Sequence, residues 1–264
     1  MDMPKIGLGT WPMRGPDCTD VVTRAINLGY RHIDTAQMYE NETEVGQGIQ
    51  RADIARDQLF VTTKVNQDRF TDGTSLASAR QSIDRLGVGP VDLILCHWPP
   101  QTVTTEAVVD ALCDIQAAGL TRHIGVSNFN VPQTERAAAR ANILTNQVEF
   151  HPLLDQSRLQ ETARRCGLFL TAYQPILRGA ALTLPVVTEI SREIGGNPAA
   201  VVLRWVIQQG AVPICKSTQS DRLSGNLEAL EFELSDDQMA RVTALTSTNR
   251  RDSDMLGWSP DWDA

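Results

Sequence analysis

An aspartate and a tyrosine set close together, Asp34 and Tyr39, stand where a short alternating apolar stretch, Arg31 to Ala36, gives way to a loop. Glu42, Val45, Gly46 and Ile49 then take up helical spacing. In parallel α/β proteins such strand-to-loop junctions aim side chains into a crevice, and reacting groups collect there. Two later junctions add a lysine and a histidine: Thr62-Thr63-Lys64 closes one apolar run and His97-Trp98-Pro99 the next. The four types together suit proton transfer. A free phenol has a pKa of about 10, so a nearby ammonium would favour its phenolate and lower that value. An aspartate would hold the lysine charged and in place, and a histidine would hydrogen-bond a substrate oxygen. Taken singly, each has an ordinary structural role, such as an aspartate capping a turn or a tyrosine filling a loop.

Positioning these groups requires a regular frame, and the chain supplies one. Eight short apolar runs recur: Ile6 to Thr10, His32 to Thr35, Leu59 to Lys64, Val91 to Trp98, His123 to Ser127, Asn146 to Phe150, Phe169 to Tyr173 and Val212 to Lys216. Amphipathic stretches separate them, such as Ser75 to Leu86 with Leu76, Ala79, Ile83 and Leu86 on one face. This alternation predicts a parallel sheet, and eight repeats in a chain of this length predict a closed (β/α)8 TIM barrel. Asp17 and Asp72 mark helix starts, Gly29 and Gly87 helix ends. Leu184 to Gly195 reads as an extra helix before one opened by Asn197 and Pro198, and Ser235-Asp-Asp-Gln opens a last helix to about Leu245. No linker divides the chain, so one domain, 1–264, is expected, with a polar tail at about 247–264.

Composition narrows the classes. With 264 residues and 42% hydrophobic content the chain can bury a large core, and no apolar run is long enough to span a bilayer. A net charge of -8 without a basic cluster argues against nucleic acid. The first residues lack a basic-then-apolar signal segment, which makes a cytoplasmic location the expectation. Five cysteines without a C-x-x-C pair and four scattered histidines indicate neither a disulfide framework nor a metal site.

Gly7-Leu-Gly9-Thr-Trp-Pro12 begins like a dinucleotide-binding fingerprint, but Pro12 occupies the third glycine position and Pro16 follows in a loop. A Rossmann fold needs that glycine and an immediate helix N-terminus, so the motif is read otherwise.

Taken in order, GLGTW (7–11), DTAQMYENE (34–42), TTK (62–64), HWP (97–99), IGVSNF (124–129), NQVEFHP (146–152) and KSTQSDRLSGN (216–226) resemble the motifs of the aldo-keto reductase superfamily. Short loops and the ending Ser259-Pro-Asp-Trp-Asp263 are most similar to bacterial 2,5-diketo-D-gluconate reductases, a group that also reduces methylglyoxal. The resemblance implies NADPH-dependent reduction of small aldehydes and ketones on a TIM barrel. Tyr39 would be the general acid, Lys64 and Asp34 its tuning pair, and His97 the orienting group. Ser127, Asn128 and Gln147 would hold the nicotinamide carboxamide, Tyr173 would stack on the ring, and Thr10 and Asp34 would lie near its ribose. Lys216, Ser217, Thr218, Arg222 and Asn226 would surround the adenosine end with its 2′-phosphate, where cations and hydroxyls suit a dianion. Trp11, Met38, Trp98 and Trp258 or Trp262 would line the substrate pocket, and Arg178 could meet an acidic substrate. The same reading takes the protein as a monomer.

Three positions depart from the family pattern: Cys215 replaces a proline, Gln174 a serine and Gly225 a glutamate. An NADPH-binding regulatory subunit on the same barrel is the alternative function. A hydrolase built on Ser127 with His97 or His151 is a third, although Gly125-Val-Ser127-Asn-Phe129 lacks the second glycine of a nucleophile elbow. The tail, 249–264, cannot form a core of its own, so its tryptophans should dock either over the C-terminal rim of the barrel or on the outer helices.

Overall fold

Side chains on a strand alternate between its faces, and this sorts each apolar run into residues facing helices and residues facing a closed interior. In the computed structural model, which describes residues 2–255 and 257–263, the runs form eight parallel strands closed in chain order into one barrel. They are β1 (Gly7–Gly9), β2 (His32–Asp34), β3 (Phe60–Val65), β4 (Val91–Cys96), β5 (Thr121–Ser127), β6 (Ile143–Glu149), β7 (Phe169–Tyr173) and β8 (Val212–Cys215). β1 pairs with both β2 and β8, so no sheet edge remains open. Met1, Leu256 and Ala264, the last being the end of the expected tail, lie outside the described residues.

The connections are α1 (Gly15–Leu28), α2 (Glu42–Arg51), the short α3 (Asp68–Thr71), α4 (Ser75–Leu86), α5 (Thr105–Ala117), α6 (Val131–Arg140) and α7 (Ser157–Arg165). The extra helix α8 (Pro185–Ile194) and then α9 (Pro198–Gln208) follow β7, α10 (Ser220–Leu227) follows β8, and α11 (Asp236–Thr243) comes last. Among the described residues no helix is long and apolar enough to cross a membrane.

The strands' helix-facing residues, such as Val61, Ile94 and Val126, merge with the helices into one core. The interior-facing Phe60, Leu93 and Leu95 form a separate plug. Continuing the same alternation, Lys64 follows Phe60 and Thr62 inward, and His97 follows Leu93 and Leu95. The interior is thus mainly apolar at its base, where the His32 and His123 rings pack on Phe60, and polar at its C-terminal end. Gly7 belongs to this packing: a Cβ there would lie 2.6 Å from Ile214 and 2.7 Å from His32 on the flanking strands. Its lack of a side chain serves strand packing, in keeping with the rejection of a dinucleotide fingerprint.

Several local expectations are revised. α1 starts before Asp17, which sits in its first turn and complements the helix dipole. Asp72 lies in the turn before α4, where it accepts the Thr74 N–H at 2.9 Å. The buried face of α4 is Ser75, Ser78, Ala79, Ser82 and Leu86, while Leu76 and Ile83 are only partly covered. The serines are needed because Gln37, from the loop carrying Tyr39, donates to Ser78 Oγ at 2.9 Å and Ser82 Oγ at 2.8 Å. α11 ends at Thr243 and passes into a 3-10 segment, Ala244–Thr248. Asn197 caps α9 as expected, accepting from the Ala200 N–H at 2.9 Å.

Candidate active site

Asp34 ends β2, Lys64 is the penultimate residue of β3, and His97 directly follows β4, so three neighbouring strands deliver them to one rim. Tyr39 comes from a 3-10 turn, Gln37–Tyr39, that covers the same end. Gln37 fastens that turn: besides its bonds to α4, its Oε1 accepts from the Asn66 N–H at 3.1 Å. Asn41 ties the loops after β1 and β2 together, donating to Met13 O at 2.9 Å and accepting from Thr35 Oγ1 at 2.7 Å.

Lys64 Nζ is the hub. It donates to Asp34 Oδ1 at 2.5 Å, to Thr35 O at 3.0 Å and to the Tyr39 hydroxyl at 3.2 Å. Its side chain has 0% exposure and that of Asp34 3%. Burial works against the ammonium, but Asp34 and Tyr39 outweigh it and hold the Lys64 pKa above the ordinary lysine value. For Tyr39 burial dominates and raises the phenol's pKa, while the Lys64 charge and hydrogen bond pull it down. The sequence-based expectation of a net lowering is therefore revised, because desolvation of the phenolate exceeds the stabilisation from one ammonium. The phenol keeps its proton and remains a donor.

The His97 ring meets the Tyr39 ring edge-on at 5.6 Å, and among the described residues its buried Nδ1 has no hydrogen-bond partner. Burial and then the Lys64 charge hold its pKa well below the ordinary histidine value, so the imidazole is uncharged. An uncharged ring offers one N–H donor.

The remaining rim residues form a connected polar set. Gln147 Nε2 donates to Asp34 Oδ2 at 2.8 Å, Ser127 Oγ donates to Gln147 O at 2.8 Å, and Asn128 Nδ2 donates to Ser127 Oγ at 3.2 Å. Asn128 has a left-handed backbone, φ 63°. Its Oδ1 accepts from the Tyr173 hydroxyl at 2.8 Å. Thr10 Oγ1 donates to Asp34 O at 3.0 Å. Ser127 is thus committed to a backbone carbonyl, and among the described residues it bonds neither His97 nor His151, the partners a hydrolase reading would give it.

Lys216 and Thr218 are exposed just after β8, and Ser217 is buried beside them. Arg222 is exposed on α10 and Asn226 buried. Among the described residues neither Lys216 nor Arg222 makes an ion pair with a carboxylate. Two uncompensated cations with hydroxyls fit a phosphate dianion. The departures from the family pattern have local causes: Cys215 packs into the core, and a Cβ on Gly225 would lie 3.2 Å from Asn197, the cap of α9. Gln174 has φ 52° and donates to Ser253 Oγ of the tail at 3.1 Å.

Trp98 is buried and Trp258 lies against it, ring centroids 6.4 Å apart. Trp11 is 49% exposed with the Arg178 guanidinium 5.6 Å from its ring, and Met38 is half-buried beside Tyr39. The two tail tryptophans separate: Trp262 stacks under Arg251 at 3.9 Å in a cavity of about 300 Å³ over the starts of α6 and α7. Gln37, Asn41 and Glu149 carry no signal for these roles in the sequence beyond being polar residues inside recognisable motifs; the fold buries Asn41 and Glu149 and half-buries Gln37.

Residues 5–247 match the model of the aldo/keto reductase family. The chain is 38% identical over 268 residues, covering 100% of both chains, to methylglyoxal reductase DkgB of Yersinia pestis. Among solved structures it is similar to one provisionally described as a 2,5-diketo-D-gluconic acid reductase B, with 41% identity, TM-score 0.96 and coverage of 99% of this chain and 94% of the other. It is also similar to a Bombyx mori aldo-keto reductase in complex with NADP, with 29% identity, TM-score 0.90 and coverage of 98% and 95%. With a family match over most of its length, and a barrel rim that gathers a phenol, an ammonium, a carboxylate and an imidazole, the chain belongs to the aldo/keto reductase family and is an oxidoreductase.

Proposed function

We propose that the protein reduces the carbonyl of small aldehydes and ketones, methylglyoxal and 2,5-diketo-D-gluconate among them, with NADPH as the reductant and Tyr39 as the proton donor. The observation that carries this reading is the Lys64 ammonium bonded at once to the Asp34 carboxylate and the Tyr39 hydroxyl. NADPH, when bound, would supply the hydride for the carbonyl carbon, and the chain's own residues handle the oxygen. The Tyr39 hydroxyl gives its proton as charge develops there, and Lys64 then stabilises the phenolate left behind. The uncharged His97 donates a hydrogen bond that orients the oxygen. Ser127, Asn128 and Gln147 would hold the nicotinamide carboxamide, and Tyr173 would stack on the ring. Trp98 and Trp258, with Trp11 and Met38, would give the pocket apolar walls, and Arg178, 5.6 Å from the Trp11 ring, is the cation that a carboxylate substrate such as 2,5-diketo-D-gluconate would meet. The protein acts as a monomer in this reading.

Following NADPH absorbance with a panel of small aldehydes tests the proposal directly, and no consumption with any of them would reject it. Lys216 and Arg222 set the cofactor preference. NADPH is expected to bind about tenfold or more tighter than NADH, since a charge-assisted bond to the 2′-phosphate is lost with NADH. Replacing Lys216 and Arg222 together by methionine should abolish that difference. Fluorescence titration of each variant with both cofactors checks this, and equal binding by the unmutated protein would remove the assignment.

A further inference from the structure

Glu149 ends β6 with 0% side-chain exposure, yet it takes no part in the proton transfer described above. Its carboxylate is fully engaged. Oε1 accepts from His151 Nε2 at 2.8 Å and from the Asp252 N–H at 2.8 Å, and Oε2 accepts from the Ser253 N–H at 2.7 Å. Burial opposes the charge, but the His151 bond and the two backbone donors outweigh it and keep the carboxyl ionised, below the ordinary glutamate value.

His151 is equally buried, and its Nδ1 accepts from the Leu153 N–H at 3.2 Å. That bond leaves Nε2 to carry the ring proton toward Glu149. The carboxylate is therefore oriented from below by the barrel, while its other valences face the tail. Nearby contacts reinforce the junction: the Arg250 N–H donates to Leu153 O at 2.7 Å, and Gln174 reaches Ser253. Beyond it the tail runs to the loops after the neighbouring strands β4 and β5. Gln101 donates to Trp258 O at 3.1 Å and Asn130 to Asp261 O at 2.8 Å, and Trp258 rests on Trp98, next to His97.

We propose that Glu149, oriented by His151, is a positioning residue for substrate selection: it pins the tail at Asp252 and Ser253 and so sets Trp258 against Trp98 as a wall of the pocket. Irregular chain ends without regular structure fray unless tied down, and this tail has a buried carboxylate as its tie. A glutamine in its place keeps the shape but turns one acceptor into a donor facing another donor. The inference rests on the carbonyl-reductase reading, since a wall matters only if a substrate is selected there.

Four full-length variants test it: Glu149→Gln, Ser253→Pro, Trp258→Ala and Glu149→Gln combined with Trp258→Ala. Proline removes the Ser253 N–H, and with it the hydroxyl that Gln174 meets, while leaving the barrel strands unaltered, so it decides the question even if Glu149→Gln fails to fold. Both latch variants are expected to change KM for bulky relative to small aldehydes by about tenfold, with kcat for the smallest aldehyde and NADPH affinity nearly unchanged. In the Trp258→Ala background Glu149→Gln should add no further change in ranking, because its effect passes through that ring. Amide exchange of the tail segment, read by mass spectrometry, should speed up in both latch variants. An unchanged substrate ranking, a Glu149→Gln effect that persists without Trp258, or unchanged tail exchange would each overturn the proposal. Tail exchange is read without turnover. Failure of the unmutated enzyme to reduce any aldehyde would therefore count against the reductase reading, while exchange would still decide the latch.

Discussion

Tyr39→Phe is expected to lower kcat by about a hundred to ten thousandfold, the usual cost of losing a general acid, and to leave NADPH affinity nearly unchanged. The separation follows from geometry. The Tyr39 hydroxyl bonds Lys64, while the groups assigned to the nicotinamide carboxamide and the 2′-phosphate come from other strands: Ser127 and Asn128 around the end of β5, Gln147 from β6, and Lys216 after β8. Removing the hydroxyl should also leave the fold intact, because Lys64 Nζ keeps Asp34 Oδ1 and Thr35 O as partners. Single-turnover reduction of methylglyoxal, with cofactor binding followed in parallel, makes the measurement. Near wild-type turnover would move the proton to another group, and His97, whose ring touches Tyr39, is the next candidate.

Lys64→Met is expected to fail twice, in chemistry and in stability. Without the ammonium nothing opposes the desolvation that already raises the Tyr39 pKa, so the phenolate formed on proton transfer is left unsupported. At the same time Asp34, with a side chain only 3% exposed, loses its ion-pair partner and keeps the Gln147 amide alone on Oδ2. Removing one member of a buried pair commonly costs about 3–5 kcal/mol. For a domain of this size that corresponds to a Tm lowered by something on the order of 10 °C. Asp34→Asn added to Lys64→Met should recover much of the Tm and none of the activity, because it removes the stranded charge without restoring the ammonium. Calorimetry and turnover on the three proteins test this. Recovery of activity in the double variant would mean that Lys64 does not act on the phenol.

Much of the frame was legible in the residues alone because it depends on local periodicity. Two-residue alternation in Phe60, Thr62 and Lys64, and in Leu93, Leu95 and His97, already places an ammonium and an imidazole on the inner face of adjacent strands. The eight strands fall within or beside the apolar runs for the same reason. Asp34 and Tyr39 were visible as a strand end and the loop after it, and the motif resemblance then named a chemistry for them.

What the tertiary structure decided involves partners distant in sequence or a balance of opposing energies. The serine face of α4 answers to Gln37 on another loop, so its own helical pattern, read as Leu76, Ala79, Ile83 and Leu86, gave Ala79 and Leu86 of the buried face but not Ser75, Ser78 and Ser82. The direction of the Tyr39 shift required the depth of burial as well as the neighbouring charge. Trp258 and Trp262 are alike in sequence, and only the tail's path separates one against Trp98 from the other under Arg251. That path depends on bonds between Glu149 and the backbone N–H groups of Asp252 and Ser253. A backbone donor has no residue-specific signature, and a carboxylate beside a strand end looks like any surface glutamate until the fold buries it.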